Sequence, residues 1–258
     1  NNPDRPLVQI SNDYFTSINY VDHEGTRFLL LTNIDAPNYK VIAIDLSQPE
    51  QENWTVVIPE TANVLSAGSG GGKLFAEYLI DAKSAVKQFD FNGKLERDIE
   101  LPGIGSAAGF GAKKKDKDFY YSFTSFTSPS TIYHYDIATG KSTFYRQPKV
   151  DFNPEDYETK QIFYQSKDGT KVPMFIVHKK GLKLDGTNPT MLYAYGGFNV
   201  SLTPNFSAMR VAWLEQGGIW AQPNLRGGGE YGEIWHEAGT KMNKQNVFDD
   251  FIAAAEYL

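Results

Sequence analysis

Met191-Leu192-Tyr193-Ala194-Tyr195-Gly196-Gly197-Phe198-Asn199 decides how the second half of this chain folds. The run Met191 to Ala194 follows Asn188-Pro189-Thr190 and reads as a short buried strand. Two glycines then supply turn conformations that a side chain forbids, and they let another group approach the backbone. Tyr195 holds a phenol at that turn, with an O–H free to donate.

Working outward, a second apolar run, Gly218-Ile219-Trp220-Ala221, leads into Asn224-Leu225-Arg226-Gly227-Gly228-Gly229-Glu230-Tyr231-Gly232. Pro223 bars continuation of that strand. Between the two runs, Ser207 can cap a helix carrying Met209, Val211, Ala212 and Leu214, ended by Gly217-Gly218. Upstream, Lys160 to Ser166 and Lys171 to His178 form a hairpin around Asp168-Gly169. A last helix starts near Asn246, with Val247, Phe248, Phe251, Ile252, Ala255 and Leu258 as its expected core-facing stripe. Alternating strands and helices predict a sheet with parallel pairs and helices on its faces. In α/β-hydrolases the loop after an early strand supplies donors to an oxyanion.

The first half has a different rhythm. Ile44-Asp45-Leu46, Phe89-Asp90-Phe91 and Tyr135-Asp136-Ile137 place their aspartates 45 and 46 positions apart. Each triplet is preceded by an alternating run and, further upstream, an apolar strand such as Phe28 to Leu31, Leu74 to Tyr78 or Phe119 to Phe123. Each is followed by a turn and a final strand ending near Pro59, Pro102 or Pro148. A period of about 45 residues is that of one four-stranded propeller blade. Residues 1–150 are therefore expected to form about three blades, too few to close a ring. The start at Asn1-Asn2-Pro3-Asp4 and the stop at Tyr257-Leu258 inside a helical pattern add to the expectation of a fragment of a longer protein.

Two look-alikes fail here. Gly70-Gly71-Gly72-Lys73-Leu74 puts leucine where a phosphate loop needs Ser or Thr. Ala67-Gly68-Ser69-Gly70-Gly71 mimics a nucleophile elbow but lies within a blade rather than between a strand and a helix.

Composition narrows the function. The absence of cysteine rules out disulfides, thiolate metal sites and a thiol nucleophile. The net charge of −6 and the alternating Lys113 to Asp118 run argue against a nucleic-acid surface. No apolar run approaches membrane-spanning length. No metal site is expected. Neither cytoplasm nor bacterial periplasm is excluded.

Taken together, Tyr195-Gly-Gly-Phe-Asn, Asn224-Leu-Arg-Gly-Gly-Gly-Glu-Tyr-Gly, Phe248-Asp-Asp-Phe and the hairpin from Phe163 to Ile176 resemble the prolyl oligopeptidases, a family of serine peptidases. The resemblance covers roughly residues 160–258. It implies partial β-propeller blades over 1–150 followed by the N-terminal part of an α/β-hydrolase (peptidase) domain over 151–258. It also implies an enzyme without a cofactor that hydrolyses short proline-containing peptides on the carboxyl side of proline, as a monomer when complete. Tyr195 would donate to the oxyanion and Phe198 would line the substrate pocket. No Gly-x-Ser-x-Gly lies after residue 150, so Ser, Asp and His of a triad are expected outside this stretch, and this chain alone is expected to be inactive. A related oligopeptidase cutting after basic residues, and a non-enzymatic propeller binding module, are the alternatives.

Four further side chains have expected places. Arg226 and Glu230 are expected to anchor the glycine loop through a salt bridge to each other. His178 reads as a solvated strand end, and His236 as a structural loop residue with a supporting role as the alternative.

Overall fold

The structure is a computed structural model that describes residues 9–11 and 16–258. The Asn1 to Asp4 opening lies outside the described residues.

Three antiparallel four-stranded sheets come first. They comprise β1 (Ile18–Glu24), β2 (Arg27–Thr32), β3 (Lys40–Asp45) and β4 (Thr55–Ile58), then β5 (Val64–Gly70), β6 (Lys73–Ile80), β7 (Lys83–Asp90) and β8 (Leu95–Ile99), then β9 (Ser106–Ala108), β10 (Asp118–Thr124), β11 (Thr131–Asp136) and β12 (Ser142–Arg146). Each sheet runs in sequence order, strand beside next strand. The repeating aspartates have one structural job. Asp45, Asp90 and Asp136 end the third strand of their sheets, and each carboxylate accepts a backbone N–H of the turn beyond, from Ser47 (2.9 Å), Asn92 (2.9 Å) and Thr139 (2.7 Å). Such turns stop one strand and reverse the chain into the next.

Both faces of the middle sheet are buried, so its strands alternate between two cores. Leu74, Ala76 and Tyr78 of β6 pack with Leu29, Val41 and Val57 of the first sheet. Phe75, between them, packs with Phe119, Tyr121 and Tyr135 of the third. Gln88 is fully buried between sheets and is satisfied there: its Nε2 donates to Ile137 O (3.1 Å) and its Oε1 accepts from the Tyr135 hydroxyl (2.7 Å). Burial pushes that hydroxyl's pKa up to about 12. Ser69 of the elbow look-alike sits on β5 and donates to Val21 O (3.2 Å), as a structural hydroxyl does. His23 and His134 lie on β1 and β11.

After a 3-10 turn at Pro154–Asp156 a mixed sheet begins. Its strands are β13 (Tyr157–Gln165), β14 (Lys171–Lys179), β15 (Thr190–Leu192) and β16 (Ile219–Pro223), in the order β13-β14-β16-β15. β13 and β14 form the expected hairpin, and β15 pairs with β16 in parallel. Helix α1 (Ala208–Glu215) connects the parallel pair, short α2 (Glu233–Glu237) follows the glycine loop, and α3 (Gln245–Tyr257) packs beside β13. Ser207 precedes α1, but it is its carbonyl, not its hydroxyl, that engages the helix, accepting from Val211 N–H (3.0 Å).

The two halves share a core. Ala82 and Phe126 of the propeller sheets pack with Tyr157, Phe175, Val177, Leu214 and Trp220. Arg210 lies across this seam, its guanidinium carbon 5.0 Å from the Phe126 ring centre and 4.5 Å from that of Trp220. Desolvation lowers its pKa to about 10. Polar ties flank the seam: Tyr231 donates to Asp81 (2.8 Å) and Lys83 to Gln161 (2.6 Å). Each fully buried large apolar side chain stabilises by about 1.5–3 kcal/mol, against about 0.5–1.5 kcal/mol net for a typical hydrogen bond, so the apolar seam dominates.

Three expectations need correcting. The run at Met191 forms the expected strand, but among the described residues β15 pairs only with β16, and Met191 and Tyr193 are exposed rather than buried. On α3, Val247 of the predicted stripe is buried as expected, but Phe248, Phe251, Ile252 and Leu258 are exposed among the described residues, and Asp250 and Ala254 complete the buried face. His178 is buried, because β14 lies between β13 and β16 and its end is covered. Its ring meets Lys179 O at 2.9 Å and the Glu158 carboxylate at 3.5 Å. Among the described residues, no helix is long and apolar enough to cross a membrane.

Candidate active site

The site is built where three glycines bring separate loops to backbone contact. Gly196 has φ +61°, and a Cβ there would lie 2.6 Å from Val247 Cγ1 and 3.0 Å from Leu225 Cβ. A Cβ on Gly227 would lie 2.9 Å from Gly196 O, and one on Gly239 would lie 2.3 Å from Gly227 N. No side chain fits these positions without displacing backbone. The turn after β15 is thus clamped against the loop after β16 and the start of α3. Lys244 Nζ closes the clamp by donating to Gly196 O (2.8 Å).

Tyr195 and Phe198 stand on this clamped turn. The Tyr195 ring is 49% exposed and lies 6.4 Å, centroid to centroid, from the Phe198 ring. Phe198 is 86% exposed, which excludes a core role within this chain. Its backbone is left-handed, φ +53°, as is that of Asn199, φ +56°. The two aromatic groups singled out in the sequence therefore come together on one open surface. A cleft of about 710 Å³ lies between the first two propeller sheets and the α/β part, lined by Tyr39, Val64, Asn199, Ser201 and Glu233 among others; it reaches the residue after Phe198 but neither aromatic ring lines it. A second cavity, of about 540 Å³, is lined by Ile162, Ile176, His178 and Tyr257 and reaches neither aromatic group.

Arg226 and Glu230 do anchor the glycine loop, but not through each other. Arg226 reaches Asp250 of α3 with Nε (3.0 Å) and Nη2 (2.6 Å), and Asp168 of the hairpin turn with Nη1 (2.6 Å). Its own backbone N–H also donates to Asp250 (3.0 Å). The Arg226 hydrogen bond holds Asp168 down to a pKa of about 2. Glu230, 2% exposed, turns the other way and accepts from Leu202 N–H (2.9 Å) and Asn224 Nδ2 (3.0 Å). Burial pushes its carboxyl pKa up against those two donors. The distance in sequence from Arg226 to its real partners left no local signal for them.

His236 meets the turn as well. Its Nδ1 lies 2.8 Å from Gly227 O and 3.1 Å from Asn199 N. Its contacts are thus to the backbone on either side of the turn, at the residue after Phe198 and at the glycine loop.

Comparison with known proteins identifies the family. The family model for the prolyl oligopeptidase N-terminal beta-propeller domain matches residues 1–148, and that of the prolyl oligopeptidase family matches residues 204–258. The prolyl endopeptidase of Elizabethkingia meningoseptica is 54% identical over 252 residues, covering 98% of this chain and 36% of that protein. The prolyl endopeptidase of Dictyostelium discoideum is 42% identical, over 90% of this chain and 32% of its own length. A solved structure of prolyl oligopeptidase B from Galerina marginata, bound to a 35mer hydrolysis and macrocyclization substrate, aligns with a TM-score of 0.88 at 36% identity, covering 96% of this chain and 36% of that one. The chain thus spans about a third of the length of the curated relatives it matches. It combines propeller blades with the start of an α/β-hydrolase peptidase domain, and it belongs to the prolyl oligopeptidase family.

Proposed function

We propose that this chain is part of a serine endopeptidase that hydrolyses short peptides on the carboxyl side of proline, with residues 1–150 as three propeller blades and 151–258 as the opening of its peptidase domain. The observation that carries the reading is the pair Tyr195 and Phe198, both exposed on one glycine-clamped turn with rings 6.4 Å apart. Identity of 54% to a prolyl endopeptidase supports the substrate class.

The chemistry assigned is acyl transfer. A serine hydroxyl from the rest of the protein gives its proton to a histidine there and attacks the peptide carbonyl, whose oxygen gains negative charge; the C–N bond then breaks as that proton passes to the leaving amine, and water releases the acyl group from the serine. Tyr195 O–H donates to that oxygen, and a rigid turn keeps the donor in place before charge develops. Phe198 gives the substrate a flat apolar wall, which suits the ring of proline. No metal or organic cofactor enters this scheme. The complete enzyme acts as a monomer on peptides, in cytoplasm or bacterial periplasm.

The full-length enzyme is expected to cleave a proline ester far faster than the matching arginine ester. Preference for arginine would transfer the assignment to a peptidase for basic residues.

A further inference from the structure

Phe198 has little to hold it but its own backbone. Its ring is 86% exposed, and both it and Asn199 sit in the left-handed region, which residues with a β-carbon avoid. Such a conformation persists where surrounding contacts over-determine it. Two backbone hydrogen bonds do part of this: Asn199 N–H to Gly227 O (3.1 Å) and Val200 N–H to Gly197 O (3.0 Å). The third support is a side chain. His236 Nδ1 faces both members of the first bond, 3.1 Å from Asn199 N and 2.8 Å from Gly227 O. With its proton on Nε2 the ring accepts from Asn199, and with a proton on Nδ1 it donates to Gly227. Each form makes one of the two bonds: the first holds Asn199 directly, and the second holds the Gly227 carbonyl to which Asn199 N–H itself donates.

We propose that His236 is a positioning residue that fixes the Phe198 ring beside Tyr195 and thereby sets the preference for proline at the cleaved position. The inference rests on Phe198 being the substrate wall. His236 touches no substrate itself. Without it, Phe198 and Asn199 relax toward the extended region and the ring swings out of its place. Tyr195 lies on the other side of the Gly196-Gly197 clamp, which keeps its own contacts to Val247, Leu225 and Lys244.

The test uses the full-length enzyme and the ratio of kcat/KM for peptides carrying proline or alanine at the cleaved position. His236→Ala is expected to lower that ratio about tenfold, the scale of losing apolar contact in a pocket, with the alanine peptide cleaved nearly as before. Asparagine places a polar atom where Nδ1 stands and glutamine where Nε2 stands. His236→Asn should therefore keep the ratio within about threefold of wild type, while His236→Gln should fall with alanine. Phe198→Ala should lower the ratio at least as far, and adding His236→Ala to it should change nothing more. A wild-type ratio in His236→Ala, an asparagine variant as poor as alanine, or full additivity in the double variant overturns the inference. If Phe198→Ala itself leaves the ratio unchanged, the substrate wall is misassigned and the role of His236 falls with it. Should His236→Ala lose its thermal transition, the contrast between the asparagine and glutamine variants decides the question.

Discussion

Arg226 and Asp250 form a buried ion pair that joins the glycine loop to α3, with Nη2 2.6 Å from Oδ1 and side chains 5% and 0% exposed. The same guanidinium extends to Asp168 on the hairpin turn, whose side chain is 47% exposed. One cation therefore ties three segments that are far apart in sequence, and the backbone carbonyl of the same residue lies against Gly196 in the turn that carries Tyr195 and Phe198.

The two carboxylates are expected to differ sharply in worth. Asp250→Ala leaves a buried guanidinium half paired and an N–H without its acceptor, and should cost about 3–5 kcal/mol. Asp168→Ala removes a partner that water can replace, and should cost about 1 kcal/mol or less. Denaturant unfolding of the two variants checks this, and equal losses would show that the pair is not the anchor described.

The clamp predicts an asymmetry between adjacent glycines. Gly196→Ala places a Cβ 2.6 Å from Val247 at a φ of +61°, whereas the nearest atom to a Cβ on Gly197 is Lys244 Nζ at 3.7 Å. The first substitution should destabilise by about 1–3 kcal/mol and depress turnover by moving Tyr195. The second should change stability little. Thermal unfolding and kcat of both variants in the full-length enzyme measure the difference.

Glu77 on β6 gives a pH signature within the propeller sheets. Burial pushes its carboxyl up to a pKa of about 7. A pKa raised on folding means a contribution to stability that is present below the unfolded value, about 4.3, and lost as pH rises through about 7. Glu77→Gln should accordingly melt higher than wild type at pH 8, with the gap closing as the pH is lowered toward 4.5. A gap of constant size across that range would place the carboxylate in contact with water.

Local rules carried much of the fold. Asp45, Asp90 and Asp136 could be read as blade markers because each acts on the turn next to it, through contacts two or three residues away. The Asp168-Gly169 hairpin and the Gly196-Gly197 turn were legible for the same reason. Contacts across long separations were not. An aspartate on the core face of α3 makes sense only with Arg226 opposite it, so periodicity alone chose Phe248 and Phe251 instead. His178 was misread because burial at a strand end depends on which strands become its neighbours. Tyr195 and Phe198 were visible as candidates from the family resemblance, whereas the placing of His236 against the Asn199–Gly227 contact, formed between residues 28 positions apart, was not.

The measurement that bears most directly on the site is turnover by Tyr195→Phe in the full-length enzyme, on a proline-containing peptide. Removing one oxyanion donor should lower kcat about 100- to 1,000-fold and leave KM within a few-fold of wild type. An unchanged kcat, with the variant folded, would contradict the placement of the oxyanion at this turn.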